Sequence, residues 1–169
     1  MRRRTDPKEP ISFGRAYTHS ETFRQLFQDG MKLVEATATY LDGEGRAAAR
    51  RLGRPASVLY AAESMRLTTR LMQLASWLLL HRSVVEGEMS PAQAKEEKQK
   101  IRIEPFGSEM SGPVWEELPS EFCDLVARSL SLHKRVESID AALLPGGADR
   151  TRNPVQDQLR VLASALGGG

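Results

Sequence analysis

The chain has 169 residues, 40% of them hydrophobic and 6% aromatic, which suits one globular domain with a real core. Lys plus Arg is 24 and Asp plus Glu is 22, and a net charge of +2 is too balanced to argue by itself for nucleic acid. A single cysteine, Cys123, excludes an internal disulfide and fits a reducing compartment. Pro7, Glu9 and Pro10 interrupt any apolar signal core, so the sequence reads as cytoplasmic.

Residues 1–16 are charged, Pro-containing and without period, and are expected to be a flexible N-terminus. A bundle domain follows over 17–144. Thr18 and Glu21 form a capping box that opens a first helix running to about Asp42. Phe23, Phe27, Gly30, Val34, Thr37 and Leu41 make its apolar stripe, with Leu26, Leu33 and Tyr40 beside it. Gly43 and Gly45 end it. Arg46–Leu52 then forms a short helix or an extra turn, and Arg46, Arg50, Arg51 and Arg54 make a basic patch. Such a patch binds phosphates or an acidic partner, or it is a solvated connector. Charge runs are weak signals, and no aromatic or glycine-rich loop is interleaved, so the connector reading leads.

Pro55–Glu86 is the central helix, about 48 Å long. Leu67, Leu71, Leu74 and Leu78 form one stripe, and Val58, Ala62, Met65, Met72, Ala75 and Leu79 form a second, as expected of a helix flanked by partners. Arg66, Arg70, Gln73 and Arg82 leave too short an uncharged run to cross a membrane. Gly87 suits a left-handed residue past its end. Ser90, Pro91 and Gln93 open a short extra helix to Lys100 or Ile103. Residues 104–118 hold Pro105, Gly107, Gly112 and Pro113 and read as an irregular strap carrying Phe106, Val114, Trp115 and Leu118. Pro119 starts the last bundle helix, with Phe122, Val126, Ser129, His133 and Val136 along its seam, and Pro145-Gly146-Gly147 stops it. The tail, 145–169, is expected to be flexible, with an amphipathic segment whose face includes Leu159 and Leu162. The fold is therefore read as all-α: an antiparallel three-helix bundle with a long central helix, a short extra helix and a flexible C-terminal tail.

The residues offer little chemistry. His19, His81 and His133 are isolated, one cysteine cannot build a thiolate metal site, and there is no phosphate-binding glycine loop or nucleophile elbow. Glu96-Glu97 and Glu116-Glu117 point apart on a helix. No catalytic residue, metal or cofactor is expected. Polar residues on the central helix stand out instead. Glu63, Arg66, Arg70 and Gln73 form a polar stripe that Trp77 continues. It is either an internal network paired with Glu35, Asp42 or Glu137, or a recognition or dimer surface. The sites singled out for partner binding are Glu63, Arg66, Arg70, Trp77, Leu159 and Leu162.

The segments SETFRQLFQDGMKLVEATATYLDGEGR and YAAESMRLTTRLMQLASWLLLHRSVVEGEMS resemble the RcdA family, regulator of CtrA degradation, of the alphaproteobacteria. The resemblance covers roughly residues 12–144, and ESMRLTTRLMQLASWLL is its most specific block. It implies a homodimeric three-helix bundle with a disordered tail. It also implies an adaptor that helps deliver CtrA and other regulatory proteins to the ClpXP protease, together with a response regulator and a cyclic-di-GMP-binding partner, with recruitment to a cell pole. It carries no individual residue over as a partner site. The alternative is a nucleic-acid-associated helical protein using the basic patch.

Overall fold

The computed structural model describes residues 21–101, 103 and 110–143, and every regular element among them is a helix. Residues 1–137 make one compact unit and 138–169 a second, of which only 138–143 are described. Thr18, the ends expected to be flexible and the expected amphipathic segment with Leu159 and Leu162 lie outside the described residues.

Helix α1 (Glu21–Asp42) buries Phe23, Leu26, Gly30, Leu33, Thr37 and Tyr40, at alternating spacings of three and four. The stripe is rotated slightly from the one expected, so that Phe27, Val34 and Leu41 sit half-buried at its margin. Gly43 breaks the helix, and a short α2 (Glu44–Ala49) follows. Gly45 is the one buried residue of α2. A Cβ there would lie 2.5 Å from the Tyr40 ring and 2.7 Å from the Tyr60 hydroxyl, so only glycine lets α2 close onto both rings.

Helix α3 (Arg54–Val85) is the central rod, with Pro55 in its first turn. Its C-terminus is a Schellman motif. Gly87 adopts φ +75°, its N–H donates to the Val84 carbonyl, and the Glu88 N–H donates to the Ser83 carbonyl. The capping residues of α4 (Pro91–Lys98) close a reciprocal box: Gln93 N–H donates to the Ser90 hydroxyl and the Gln93 side chain accepts from the Ser90 N–H. α4 buries none of its residues yet packs on α3. Within the strap, α5 (Pro113–Glu116) also packs on α3, and Trp115 and Leu118 are buried. α6 (Ser120–Leu143) completes the bundle and buries Phe122, Leu125, Val126, Ser129, Leu132, His133 and Val136.

The helix directions differ in one respect from the expected antiparallel arrangement. Phe23 lies against Trp77 and His81 near one end of α3, and Tyr40 shares Gly45 with Tyr60 near the other, so α1 and α3 are antiparallel. Tyr40 also stacks near Phe122, while Asp29 reaches Arg135, so α1 and α6 are antiparallel too. α3 and α6 therefore run parallel, with Tyr60 on Phe122 (4.5 Å between ring centroids) and Arg70 hydrogen-bonded to Ser129 (2.7 Å). The cause is the long connection over 86–119. A short loop makes neighbouring helices antiparallel, whereas this one carries the chain back to the start of α3 before α6 begins. No helix among the described residues is long and apolar enough to cross a membrane.

Candidate interaction surfaces

The polar stripe of α3 faces inward. Glu63, Arg70 and Trp77 are buried, Gln73 is half-buried and Arg66 is exposed. The sequence offers Glu63, Arg70 and Trp77 as a recognition surface; within one protomer these three are interior. Glu63 pairs with Arg66 one turn away, and the Arg70 guanidinium donates to the Ser129 hydroxyl, which itself donates to the Val126 carbonyl. Burial pushes the Arg70 pKa down, with Glu63 opposing and Arg66 reinforcing the shift. A guanidinium starts so high that it stays charged. Trp77 packs against His81, with ring centroids 4.1 Å apart, and against Phe23 at 6.5 Å. The sequence suggests Glu35, Asp42 or Glu137 as partners of this stripe; the pairs seen here are Glu63 with Arg66 and Arg70 with Ser129.

A second polar feature lies where α1, α2 and α6 meet. An open groove of about 420 Å³ is lined by Tyr40, Glu44, Ala47, Ala48, Arg51, Pro119, Ser120 and Glu121. The Tyr40 hydroxyl is buried and has no hydrogen-bond partner among the described residues. Its pKa is pushed up to about 12, first by burial and then by Tyr60, Glu121, Cys123 and Glu44. In the unfolded chain a tyrosine ionises near 10. Between those values the folded state holds a proton that the unfolded state releases, so stability falls as pH rises through that window. Tyr40→Phe is expected to leave stability at neutral pH unchanged or up to about 1 kcal/mol higher, because it removes an unsatisfied hydroxyl. It is also expected to flatten part of the alkaline loss. Tyr60, raised by burial as well, supplies another part. Urea titrations at neutral and alkaline pH check this; an unchanged alkaline slope in the variant would contradict it.

The opposite face of α3 is bare. Val58, Met65, Met72 and Leu79 recur every seven residues and are 65%, 72%, 67% and 50% exposed. Ala61, Thr68, Thr69 and Ser76 fill the exposed positions between them. The hydroxyls of Ser64, Thr68 and Ser76 fold back onto the carbonyls of Tyr60, Ser64 and Met72, which hides their polarity in the helix. From Val58 to Leu79 this is a seam of roughly 32 Å. The sequence placed Val58, Met65, Met72 and Leu79 among helix partners. No helix among the described residues covers them, and their seven-residue spacing is the signal that they form a seam of their own.

The basic patch is also exposed. Arg46, Arg50, Arg51 and Arg54 all reach solvent, and none has an ion pair among the described residues. Cys123 is half-buried, and burial raises its pKa above the ordinary thiol value, which argues against a reactive thiolate. Among the described residues no three His, Cys, Asp or Glu side chains cluster as metal ligands would.

The family described as "Protein of unknown function (DUF1465)" matches residues 14–166. The crystal structure of RcdA from Caulobacter crescentus CB15 is 45% identical in sequence, with a TM-score of 0.62, and the match covers 76% of this chain and 96% of that one. No curated protein matches the chain. That match extends the sequence resemblance over nearly the whole of a solved relative, with the helical fold preserved. The chain belongs to the DUF1465 family, the family of RcdA.

Proposed function

We propose that this protein is a non-enzymatic adaptor, working as a homodimer, that helps deliver regulatory proteins of the CtrA type to the ClpXP protease. Membership of the RcdA family supports the adaptor reading. The observation that carries the dimer is the exposed seam Val58-Met65-Met72-Leu79. A heptad row of large apolar side chains with small residues between them is what one helix offers to another. A second copy of α3 would cover it, with an interface on the order of 800 Å² per protomer. A response regulator and a cyclic-di-GMP-binding protein are the further partners this reading implies, as is recruitment to a cell pole in the cytoplasm.

Sedimentation equilibrium tests the dimer. The wild-type chain is expected to sediment as two copies, and Met65→Glu/Met72→Glu as one, with the dissociation constant raised about 100-fold or more by carboxylates placed at the seam. Circular dichroism is expected to be unchanged, because both positions lie outside the protomer core. A wild-type monomer, or a variant that still pairs, removes the seam. Reconstituted proteolysis with ClpXP, a response regulator and a CtrA-like substrate tests delivery. Degradation that is equally fast without this chain removes the adaptor reading.

A further inference from the structure

We propose that the exposed arc of α2, together with the first residue of α3, docks an acidic segment of a partner protein and seats one of its apolar side chains in the groove beside Arg51. This deepens the adaptor reading by naming the chemistry of a partner, and it rests on residues separate from the α3 seam.

The arginines of this chain are not treated alike. Arg24 meets Glu21 at 3.1 Å, Arg66 pairs with Glu63, Arg82 meets Glu86 at 2.7 Å, Arg128 meets Asp124 at 3.6 Å and Arg135 meets Asp29 at 3.8 Å. The buried Arg70 is held by Ser129. Every described arginine outside the patch therefore has an anionic or hydroxyl partner. Arg46, Arg50, Arg51 and Arg54 have none among the described residues, although Glu44 stands in the same short helix. Arg50 caps α2 in helical conformation and the Arg51 N–H donates to the Ala48 carbonyl, so at about 100° per residue Arg46, Arg50, Ala47 and Arg51 follow one another around the side of α2 and its capping turn away from buried Gly45. Like charges four residues apart on a helix repel, so a protein carboxylate arriving here relieves a strain the fold leaves open.

The groove decides between kinds of anion. It is lined by Arg51 together with Ala47, Ala48, Pro119 and Tyr40, and its volume of about 420 Å³ accepts an apolar side chain. Glu44 and Glu121, both exposed, line it as well, and a regular track of phosphates would meet them. Tyr40 and Tyr60 are buried in the bundle, and among the described residues no exposed aromatic side chain is present on which a base could stack. A peptide can place its carboxylates on the arginines and an apolar side chain in the groove, with neither opposite Glu44 or Glu121. A nucleic-acid backbone has no such freedom.

The test uses the full chain and a labelled peptide in which leucines are set among glutamates, followed by fluorescence anisotropy. The peptide is expected to bind, and more weakly as salt rises. Replacing its glutamates by glutamine is expected to abolish binding, and replacing its leucines by serine to weaken it. Arg46→Glu/Arg50→Glu is expected to raise the dissociation constant about tenfold or more. Arg46→Gln/Arg50→Gln/Arg51→Gln provides a second variant without added charge. Circular dichroism and sedimentation show whether each variant keeps its fold and dimer. No binding by the wild-type chain, equal binding of the glutamine peptide, or undiminished binding by folded variants overturns the proposal. So does a single-stranded oligonucleotide of matched charge that binds more tightly than the peptide, which would assign the patch to nucleic acid. Peptide binding by a chain that leaves proteolysis unaffected would retain the docking face and remove the adaptor role, so the two failures are distinguishable.

Discussion

Arg70→Ala is expected to cost about 3–5 kcal/mol of folding stability, a large share of what a domain of this size commands. Arg70 is fully buried in the middle of α3 and is hydrogen-bonded across the bundle to Ser129 on α6. Truncation removes a long side chain from a packed interior and leaves a cavity. It also strips the Ser129 hydroxyl of a charged donor and takes a cation from the neighbourhood of buried Glu63. The chemistry of the replacement separates these causes. Arg70→Met refills most of the volume and is expected to recover part of the loss. Arg70→Met combined with Glu63→Gln removes both charges and is expected to come within about 1–2 kcal/mol of wild type, since buried ion groups often stabilise no more than apolar residues of equal size. Urea denaturation followed by circular dichroism measures all three. A cost below about 1 kcal/mol for Arg70→Ala would mean that the side chain is not locked in the core.

The reason this stripe was hard to place from sequence lies in α3 itself. Its two apolar faces look alike in composition: Leu67, Leu71, Leu74 and Leu78 on one, Val58, Met65, Met72 and Leu79 on the other. A helix apolar on both sides gives periodicity no means of telling inside from outside. The buried choice follows from tertiary partners, with Leu78 over Gly30 and Arg70 on Ser129, and neither pairing is local in the chain. A local clue did exist. Ser64, Thr68, Thr69 and Ser76 gather on the Met65 side, small hydroxyl residues that suit an exposed face or a close helix contact better than a leucine core. Where the code is local, residues and boundaries agree. The start of α4 follows from Ser90 and Gln93, the end of α3 from Gly87, and the break after Asp42 from Gly43. By its sequence Gly45 is a helix breaker, yet its close approach to Tyr40 and Tyr60 is a matter of packing that no turn rule contains. The parallel course of α3 and α6 was likewise latent in the length of the 86–119 connection.

Trp77→Ala is expected to be as damaging as the loss of Arg70, at about 3–5 kcal/mol, and for a different reason. Trp77 is among the largest fully buried side chains and joins α1 to α3 through Phe23, with the His81 ring packed at a tilt one turn further along. Its removal opens a cavity at the end of the bundle where α1 begins. Trp77→Phe keeps an apolar ring and is expected to cost about half as much. Pairing Trp77→Ala with Phe23→Ala is expected to show a coupling of about 0.5–1.5 kcal/mol, because the first substitution already removes the contact that the second would break. Fluorescence then asks whether Trp77 belongs to the protomer or to a partner surface. Trp77 and Trp115 are the only tryptophans, and both are buried within one chain. Dissociating the dimer with Met65→Glu/Met72→Glu is therefore expected to leave the emission maximum blue-shifted, as in the wild type. A shift toward the solvent-exposed maximum on dissociation would place a tryptophan at the interface between copies and return the inner stripe of α3 to the list of recognition surfaces.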